Sequence, residues 1–211
     1  HAHDAMKEMH NEARHQGTTV YPMETAMIEA KALLAEGMTP KELIHQILYR
    51  VAIHEFGHNL NLRHNFYGSL DSKNFAPAVK KMKSRGKLVE YKAESSSVME
   101  YLHVKDERHA VQNWEPYDEA ALLFAYSDGK IDLTKEKQFL FCTDEHKIYN
   151  ALCNTWDRGT SPSEVALSLI EDYEERYLTM NLRDGRAYWD SSSYPRYMFG
   201  KLLDIKRFLV M

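Results

Sequence analysis

Apolar residues recur at helical spacing in the first third of the chain, and this is its clearest pattern. The recurring positions are Leu43, Ile44, Ile47, Leu48, Val51 and Ile53. A helix is expected to begin just before this pattern, because a capping box stands there. Thr39 is its N-cap, Pro40 occupies the first helical position, and Glu42 is the acid three residues after the cap. Because the pattern continues through His54 to Leu60, we expect a long, largely buried helix that carries His54.

Helix signals dominate the rest of the chain as well. The stretches 6–14 and 23–37 are rich in helix-forming residues, and Gly37 is a stop signal for the second. Residues 117–129 predict another helix, and residues 161–178 predict one that opens on a second capping box, Ser-Pro-Ser-Glu. The fold class expected from these patterns is mainly α.

Strand signals are sparse. The best candidate is "KLVEY", residues 87–91, and it is short. If a larger sheet exists, most of it is expected upstream of residue 1, which would make the complete fold α+β.

Composition and charge exclude several classes of protein. The chain has 211 residues, 44% of them hydrophobic, and a formal net charge of −4, which fits one folded domain. It lacks the long basic run that nucleic-acid binding requires, so no nucleic-acid partner is expected. It also lacks an apolar run of ~18 to 20 residues, so no membrane span is expected.

The two ends suggest an excised segment. The chain begins with "HAHDAMKEMH", without an initial methionine, and stops at "DIKRFLVM" while its apolar pattern is still running. We therefore expect a fragment of a longer protein.

Cys142 and Cys153 are the two cysteines of the chain, and they bound the short stretch "CTDEHKIYNALC". In an oxidising compartment they could pair, and closing such a loop would contribute roughly 2 to 3 kcal/mol of stability. The alternative is a pair of unlinked thiols in the core.

The stretch "HEFGHNLNLRH", residues 54–64, has the composition of a metal site. His54 and His58 are four positions apart, so on a helix they present imidazoles from one face to a single ion. Glu55 lies beside that face, and His64 is the natural third ligand. Three protein ligands with an open position for water are what a hydrolytic zinc site requires.

Asn61 stands where the chain must reverse to bring His64 back. Such a turn requires a left-handed backbone, for which glycine is best and asparagine is the next most tolerated residue. We expect Asn61 to keep the turn at a cost of about 1 kcal/mol or less relative to glycine.

With these residues the chain resembles the metzincin clan of metallopeptidases, whose extended zinc signature is HExxHxxGxxH. The clan's second mark is a turn beneath the zinc that carries a methionine, and "SSSVMEY", residues 95–101, is similar to it with Met99 in that place. The resemblance implies that Tyr101 ligates the zinc or stabilises the oxyanion, as in the astacin and serralysin type. Otherwise Met99 is a core residue and Tyr101 only packs near the floor of the site.

A closer resemblance, over roughly residues 40–180, is to the large bacterial zinc-dependent metalloproteases with HExxHxLGLRHNF. It is based on the stretches "LRHNF", "SSVMEY", "YDEAALLFAYSDG" and "FCTDE". It implies a zinc endopeptidase that acts on protein or peptide substrates, with Glu55 as general base. It also implies a metzincin-like catalytic domain, with residues 1–60 in an upper lobe and residues 61–211 in a lower, helical lobe. Metzincins carry a twisted sheet before the active-site helix, and here that sheet is expected from upstream sequence.

Two alternatives stay open. In gluzincin-type peptidases a downstream glutamate is the third ligand, and Glu94 or Glu100 could serve. The other alternative is a non-catalytic module that retains zinc for folding.

A periplasmic or secreted location is expected, because peptidases with open zinc sites are usually kept out of the cytosol and disulfides require an oxidising compartment.

Overall fold

The computed structural model describes residues 23–82, 88–107, 114–128, 130 and 138–181, with a few positions between 199 and 208. Its helices are α1 (Met23–Ala35), α2 (Pro40–Asn59), α3 (Val104–Glu107), α4 (Pro116–Tyr126) and α5 (Pro162–Asn181). Two 3-10 helices span Ser72–Asn74 and Asp144–Ile148. The mainly α expectation is confirmed for this part of the chain, whereas the helix expected over residues 6–14 lies outside it.

One antiparallel hairpin forms the sheet of the described residues. Strand β1 (Val79–Met82) pairs with β2 (Leu88–Tyr91), with Val79 opposite Tyr91. The second strand falls on the "KLVEY" candidate, which confirms that expectation. Both strands follow α2, so the hairpin is not a sheet that precedes the helix.

Helix α2 begins as its sequence predicts. The Thr39 backbone N–H donates to Glu42 Oε2 at 2.8 Å, and the Glu42 N–H donates to Thr39 Oγ1 at 3.2 Å. Pro40, which has no N–H to leave unpaired, occupies the first turn. A reciprocal cap of this kind stabilises a helix by about 1 kcal/mol.

The expectation that α2 is largely buried was wrong. Its buried residues form one stripe, whereas Ile44, Leu48 and Phe56 are 55%, 52% and 55% exposed. The stripe consists of Leu43, Arg50, His54 and Gly57. The apolar side chains extend around the helix beyond the face that packs, so their spacing identified a helix without identifying its buried side.

Helix α5 starts with a modified cap. The Glu164 N–H donates to Ser161 Oγ at 3.3 Å, as expected for a capping box. The Glu164 carboxylate also accepts from the Thr160 N–H at 2.7 Å and from the Thr160 hydroxyl at 3.0 Å. The cap therefore extends one residue upstream, to Thr160.

The core that surrounds the histidine stretch has two parts. In one, Leu62, Val98 and Met99 pack with partly buried side chains from α2 and α4. In the other, Phe66 packs against a disulfide between Cys142 and Cys153, whose Cα atoms are 6.0 Å apart. The first part contains Leu62, two residues before His64, and the second contains Phe66, two residues after it.

Residues 95–101 are held against α2 and α4 by two buried side chains, one from each helix. The Arg50 guanidinium donates to the carbonyl oxygens of Val98 and Glu100. From α4, the Asp118 carboxylate accepts from the Ser97 hydroxyl and from the Val98 N–H, each at 2.7 Å. Burial raises the pKa of Asp118 to about 6 despite these donors. The loop is therefore tied to two helices.

Candidate metal centre

His54, His58 and His64 form one cluster. A ligand nitrogen from each lies within 4.8 Å of the others. His54 and His58 extend from adjacent turns of α2, and their rings meet edge to face with centroids 4.9 Å apart. His64 comes from the segment after the helix, so the site depends on the turn between them.

Asn61 makes that turn with a left-handed backbone, φ 64°. The Leu62 N–H returns to Gly57 O at 3.0 Å and the Asn61 N–H to His58 O at 3.0 Å. These two bonds are the pattern of a Schellman helix end, in which the left-handed residue is normally glycine. Asn61 therefore occupies the conformation that the sequence required of it.

Each histidine is oriented by a hydrogen bond at Nδ1. The acceptors are two backbone carbonyls and one carboxylate, so each imidazole carries its proton on Nδ1 and leaves Nε2 as a lone-pair donor. The pairs are His54 with Val98 O at 2.9 Å, His58 with Leu62 O at 3.0 Å, and His64 with Asp144 Oδ2 at 2.8 Å.

The nitrogens that remain fit a metal ion. Among the described residues, His54 Nε2 is buried without a hydrogen-bond partner, and the Nε2 atoms of His58 and His64 are only 3.2 Å apart. Burial, with the nearby Arg50 charge, holds the pKa of His54 well below its usual value. The imidazole is therefore kept in the neutral form that binds metals. Three imidazoles that converge in this way are a donor set that zinc prefers.

Met99 lies beneath this cluster. Its side chain is fully buried, and its Sδ lies so close to Gly57 that a Cβ there would overlap it. Gly57 belongs to the turn of α2 between His54 and His58. The absence of a side chain at this position lets the Met99 thioether pack directly under the two histidines.

Tyr101 borders the cluster from the side. Its hydroxyl lies 2.8 Å from His64 Nε2, and its ring centroid lies 5.3 Å from that of His54. The indole of Trp156 stacks on its other side, with ring centroids 4.9 Å apart. The phenol hydroxyl is thus within reach of any group bound by the histidines.

Glu55 follows His54 on α2 and is exposed. Within the part of the chain that the structure describes, its carboxylate has no hydrogen-bond partner. The structure thus brings the three histidines and Tyr101 into contact, and leaves Glu55 at the rim of the helix as an acceptor open to water.

The comparison with protein families decides what these residues belong to. A family model described as Met-zincin matches residues 36–194, well over half of the chain. The chain is a Met-zincin. Neither curated proteins nor solved structures gave a match. Membership together with the three-histidine cluster identifies a zinc metallopeptidase-like enzyme at the level of its class.

The geometry of this Met-zincin disfavours the glutamate alternatives for the third ligand. Both oxygens of Glu100 point to backbone amides, those of Ser69 at 3.3 Å and Tyr101 at 3.1 Å. Burial and the neighbouring Asp157 charge raise the pKa of Glu100 well above its usual value. Neither Glu100 nor Glu94 belongs to the metal-binding group found among the described residues, which contains His64.

Two residues of the Met-zincin site were missed by sequence reasoning. Asp144, which holds His64, lies 80 positions further along the chain. Trp156, which stacks on Tyr101, lies beyond the disulfide. Neither has a spacing relative to the histidines that could indicate its role.

Among the described residues, no helix is long and apolar enough to cross a membrane.

Proposed function

We propose that this Met-zincin is a zinc-dependent endopeptidase that hydrolyses peptide bonds in protein or peptide substrates. The observation that carries the proposal is the set of three convergent imidazoles, each oriented through Nδ1 by an acceptor. A structural zinc site normally has four protein ligands, whereas three leave a position for water.

His54, His58 and His64 would hold the zinc through Nε2. When bound, the zinc acidifies a water molecule and polarises the carbonyl of the scissile peptide. The Asp144 carboxylate supports His64 in this role, because a hydrogen bond at Nδ1 fixes the ring and makes the other nitrogen more basic.

Glu55 is the general base in this proposal. Its exposed carboxylate follows the first ligand on the helix, where it can accept a proton from the attacking water. The same proton then passes to the leaving amine, so the carboxylate ends the cycle as it began. A binding module that used zinc only for folding would not require this group.

Tyr101 and Met99 complete the proposed machinery. The Tyr101 hydroxyl is placed to donate a hydrogen bond to the oxyanion that develops on the substrate. Met99 is the methionine of a Met-turn in this proposal, and it shapes the floor of the site without ligating.

We further propose a periplasmic or secreted setting, because the Cys142–Cys153 disulfide requires oxidising conditions. The chain is proposed to be one catalytic domain, with an upper lobe over residues 1–60 and a lower lobe over residues 61–211. The finer grouping with the large bacterial metalloproteases remains part of this proposal.

The test compares wild type with Glu55→Gln, which keeps the size of the side chain and removes the base. Zinc content and cleavage of an unstructured protein such as casein are measured on the same samples. We expect about one zinc per chain in both proteins, with cleavage lost in Glu55→Gln by about 10²-fold or more. Glu119→Gln, an exposed glutamate on α4, is the matched control and should cleave like wild type.

Two outcomes would contradict the proposal. Cleavage that survives Glu55→Gln would remove Glu55 as base. Zinc in both proteins without cleavage in either, and with only stability changed by the substitution, would favour the zinc-stabilised binding module.

A further inference from the structure

Trp156 touches Tyr101 in two independent ways. Its indole lies parallel to the phenol ring, with an angle of 8° between the planes and 4.9 Å between the centroids. Its backbone N–H donates to the Tyr101 carbonyl oxygen at 3.3 Å. The indole therefore packs flat against the Tyr101 ring in a fixed position. The hydroxyl of that same tyrosine reaches the histidine cluster.

His103 fixes Trp156 in turn. This imidazole is only 1% exposed, and its Nε2 donates to the Trp156 carbonyl oxygen at 2.7 Å. Its Nδ1 bonds to the Glu29 carboxylate on α1 at 2.9 Å, and Asp172 on α5 lies 3.9 Å from Nε2. A buried polar network thus holds the Trp156 backbone between two helices.

The backbone of Trp156 is in a conformation that bulky residues avoid. Its φ is +63°, in the left-handed region where glycine and asparagine are usual. A strained residue of this kind persists only where its surroundings over-determine it, and such residues concentrate at functional sites. Glycine, which has no Cβ, would relieve the strain, so the retained indole is best explained by the contact that it makes.

We propose that Trp156 is a positioning residue for Tyr101, and that His103 holds Trp156 in place. The indole blocks rotation of the phenol away from the cluster and thereby sets the direction in which the Tyr101 hydroxyl donates. A displacement of a donor by about 1 Å can cost about 10²-fold in rate. The kinetic consequence rests on the proposed peptidase function, whereas the positioning itself does not.

The central test compares Trp156→Leu with Trp156→Phe. Both retain a Cβ at the left-handed position and so share its strain, but only phenylalanine retains a planar ring. We expect Trp156→Leu to lower kcat by about tenfold or more with KM within about twofold, as expected when a transition-state contact is lost. Trp156→Phe should stay within about threefold of wild type. In a Tyr101→Phe background, Trp156→Leu should have no further effect, because the group that it positions is gone.

A second readout needs neither zinc nor substrate. NMR of the metal-free chain with labelled tyrosine rings contains signals from 13 tyrosines, and that of Tyr101 is the one lost in Tyr101→Phe. Stacking on an indole shifts this signal, so Trp156→Leu should move it towards the position of an unstacked ring. His103→Gln should move it in the same direction, and Trp156→Phe should move it least.

Tyr49→Leu is the matched control, because its ring stacks on His45 at 6.3 Å on the exposed side of α2. It should change neither kcat nor the Tyr101 signal. An unmoved Tyr101 signal in Trp156→Leu would overturn the positioning role, and so would kinetic effects of Trp156→Leu and Tyr101→Phe that simply add. If Trp156→Leu fails to fold, the signals of Trp156→Phe and His103→Gln decide. If the wild-type chain binds zinc but cleaves nothing, the proposed function fails while the NMR comparison still tests the positioning.

Discussion

Two of the regions that build the metal centre differ in how they are encoded. The ligand region, residues 54–64, is one continuous stretch in which helix geometry and a single turn bring the histidines together. The support region comes from residues 142–158, and its Asp144 and Trp156 reach the site only through the tertiary fold. The chemistry is thus local in the sequence, whereas the orientation of the chemical groups is not.

Removing a zinc ligand from the ligand region should have the largest effect on zinc binding and cleavage. In His58→Ala one of three nitrogen donors is lost, so we expect zinc binding and cleavage both to fall below detection. His45→Ala, on the exposed side of the same helix, is the control and should bind about one zinc per chain. Tight zinc binding by His58→Ala would show that the ligands lie elsewhere.

Removing the carboxylate of the support region that holds His64 should lower zinc affinity by a smaller amount. Asp144→Asn keeps the shape of the side chain and loses the charge opposite His64 Nδ1, so zinc affinity should fall about 10 to 100-fold. The measurement is competition with a chromogenic chelator. Glu145→Gln is the control: this neighbour pairs with Arg63 at the surface and should leave the affinity unchanged. Equal zinc affinities for Asp144→Asn and wild type would show that Asp144, and with it this part of the support region, does not contribute to zinc binding.

The floor of the site offers a test of packing between the ligand region and the 95–101 loop. Gly57→Ala places a methyl group against Met99 Sδ, so the metal-free chain should lose about 1 to 3 kcal/mol in urea denaturation. Shortening the partner in Gly57→Ala/Met99→Ala should cost less than the sum of the single changes, because the overlap is removed. Strict additivity would mean that the two residues do not meet.

The carboxylates behind the 95–101 loop make stability depend on pH. Burial and the nearby Asp118 charge raise the pKa of Glu115 from 4.5 to about 7. A raised pKa means that its contribution is fully present below about 4.5 and is lost as the pH rises through about 7. The metal-free chain should therefore lose on the order of 1 to 2 kcal/mol between pH 5 and 8, measured by urea denaturation. Glu115→Gln should flatten this slope, and an unchanged slope would assign it to other groups.

The turn at Asn61 should show the smallest effect. Asn61→Gly relieves the left-handed strain and should raise stability by about 1 kcal/mol or less, with zinc affinity within about twofold of wild type. Asn61→Ala, which has no side-chain amide to compensate, should be less stable than wild type. A large loss of zinc binding in Asn61→Gly would show that the amide has a role beyond the turn.

The same contrast explains what could be predicted from the sequence. The start of α2 and the turn at Asn61 follow from short-range chemistry, namely a capping box and the sterics of positive φ. The strand at 88–91 was predicted from its composition. Each of these depends on residues within a few positions of one another.

The expectations that failed depend on distant partners. The buried stripe of α2 includes Arg50, whose burial is explained by two carbonyls about 50 positions further along the chain. Asp144 and Trp156 meet the site only after residues 142–156 fold against His64, Phe66 and Tyr101. A single sequence has no periodicity that records such pairings, so the supports of the centre could be identified only from the fold.

The most direct test of the central claim is X-ray absorption of the zinc-loaded chain, which reports the atoms bound to the metal. If His54, His58 and His64 hold the zinc, the spectrum should show histidine scattering from three imidazoles with nitrogen at about 2.0 to 2.1 Å, and a shell with one imidazole fewer in His64→Ala. A zinc shell that is the same in wild type and His64→Ala, or one with fewer than three imidazoles in wild type, would contradict this claim.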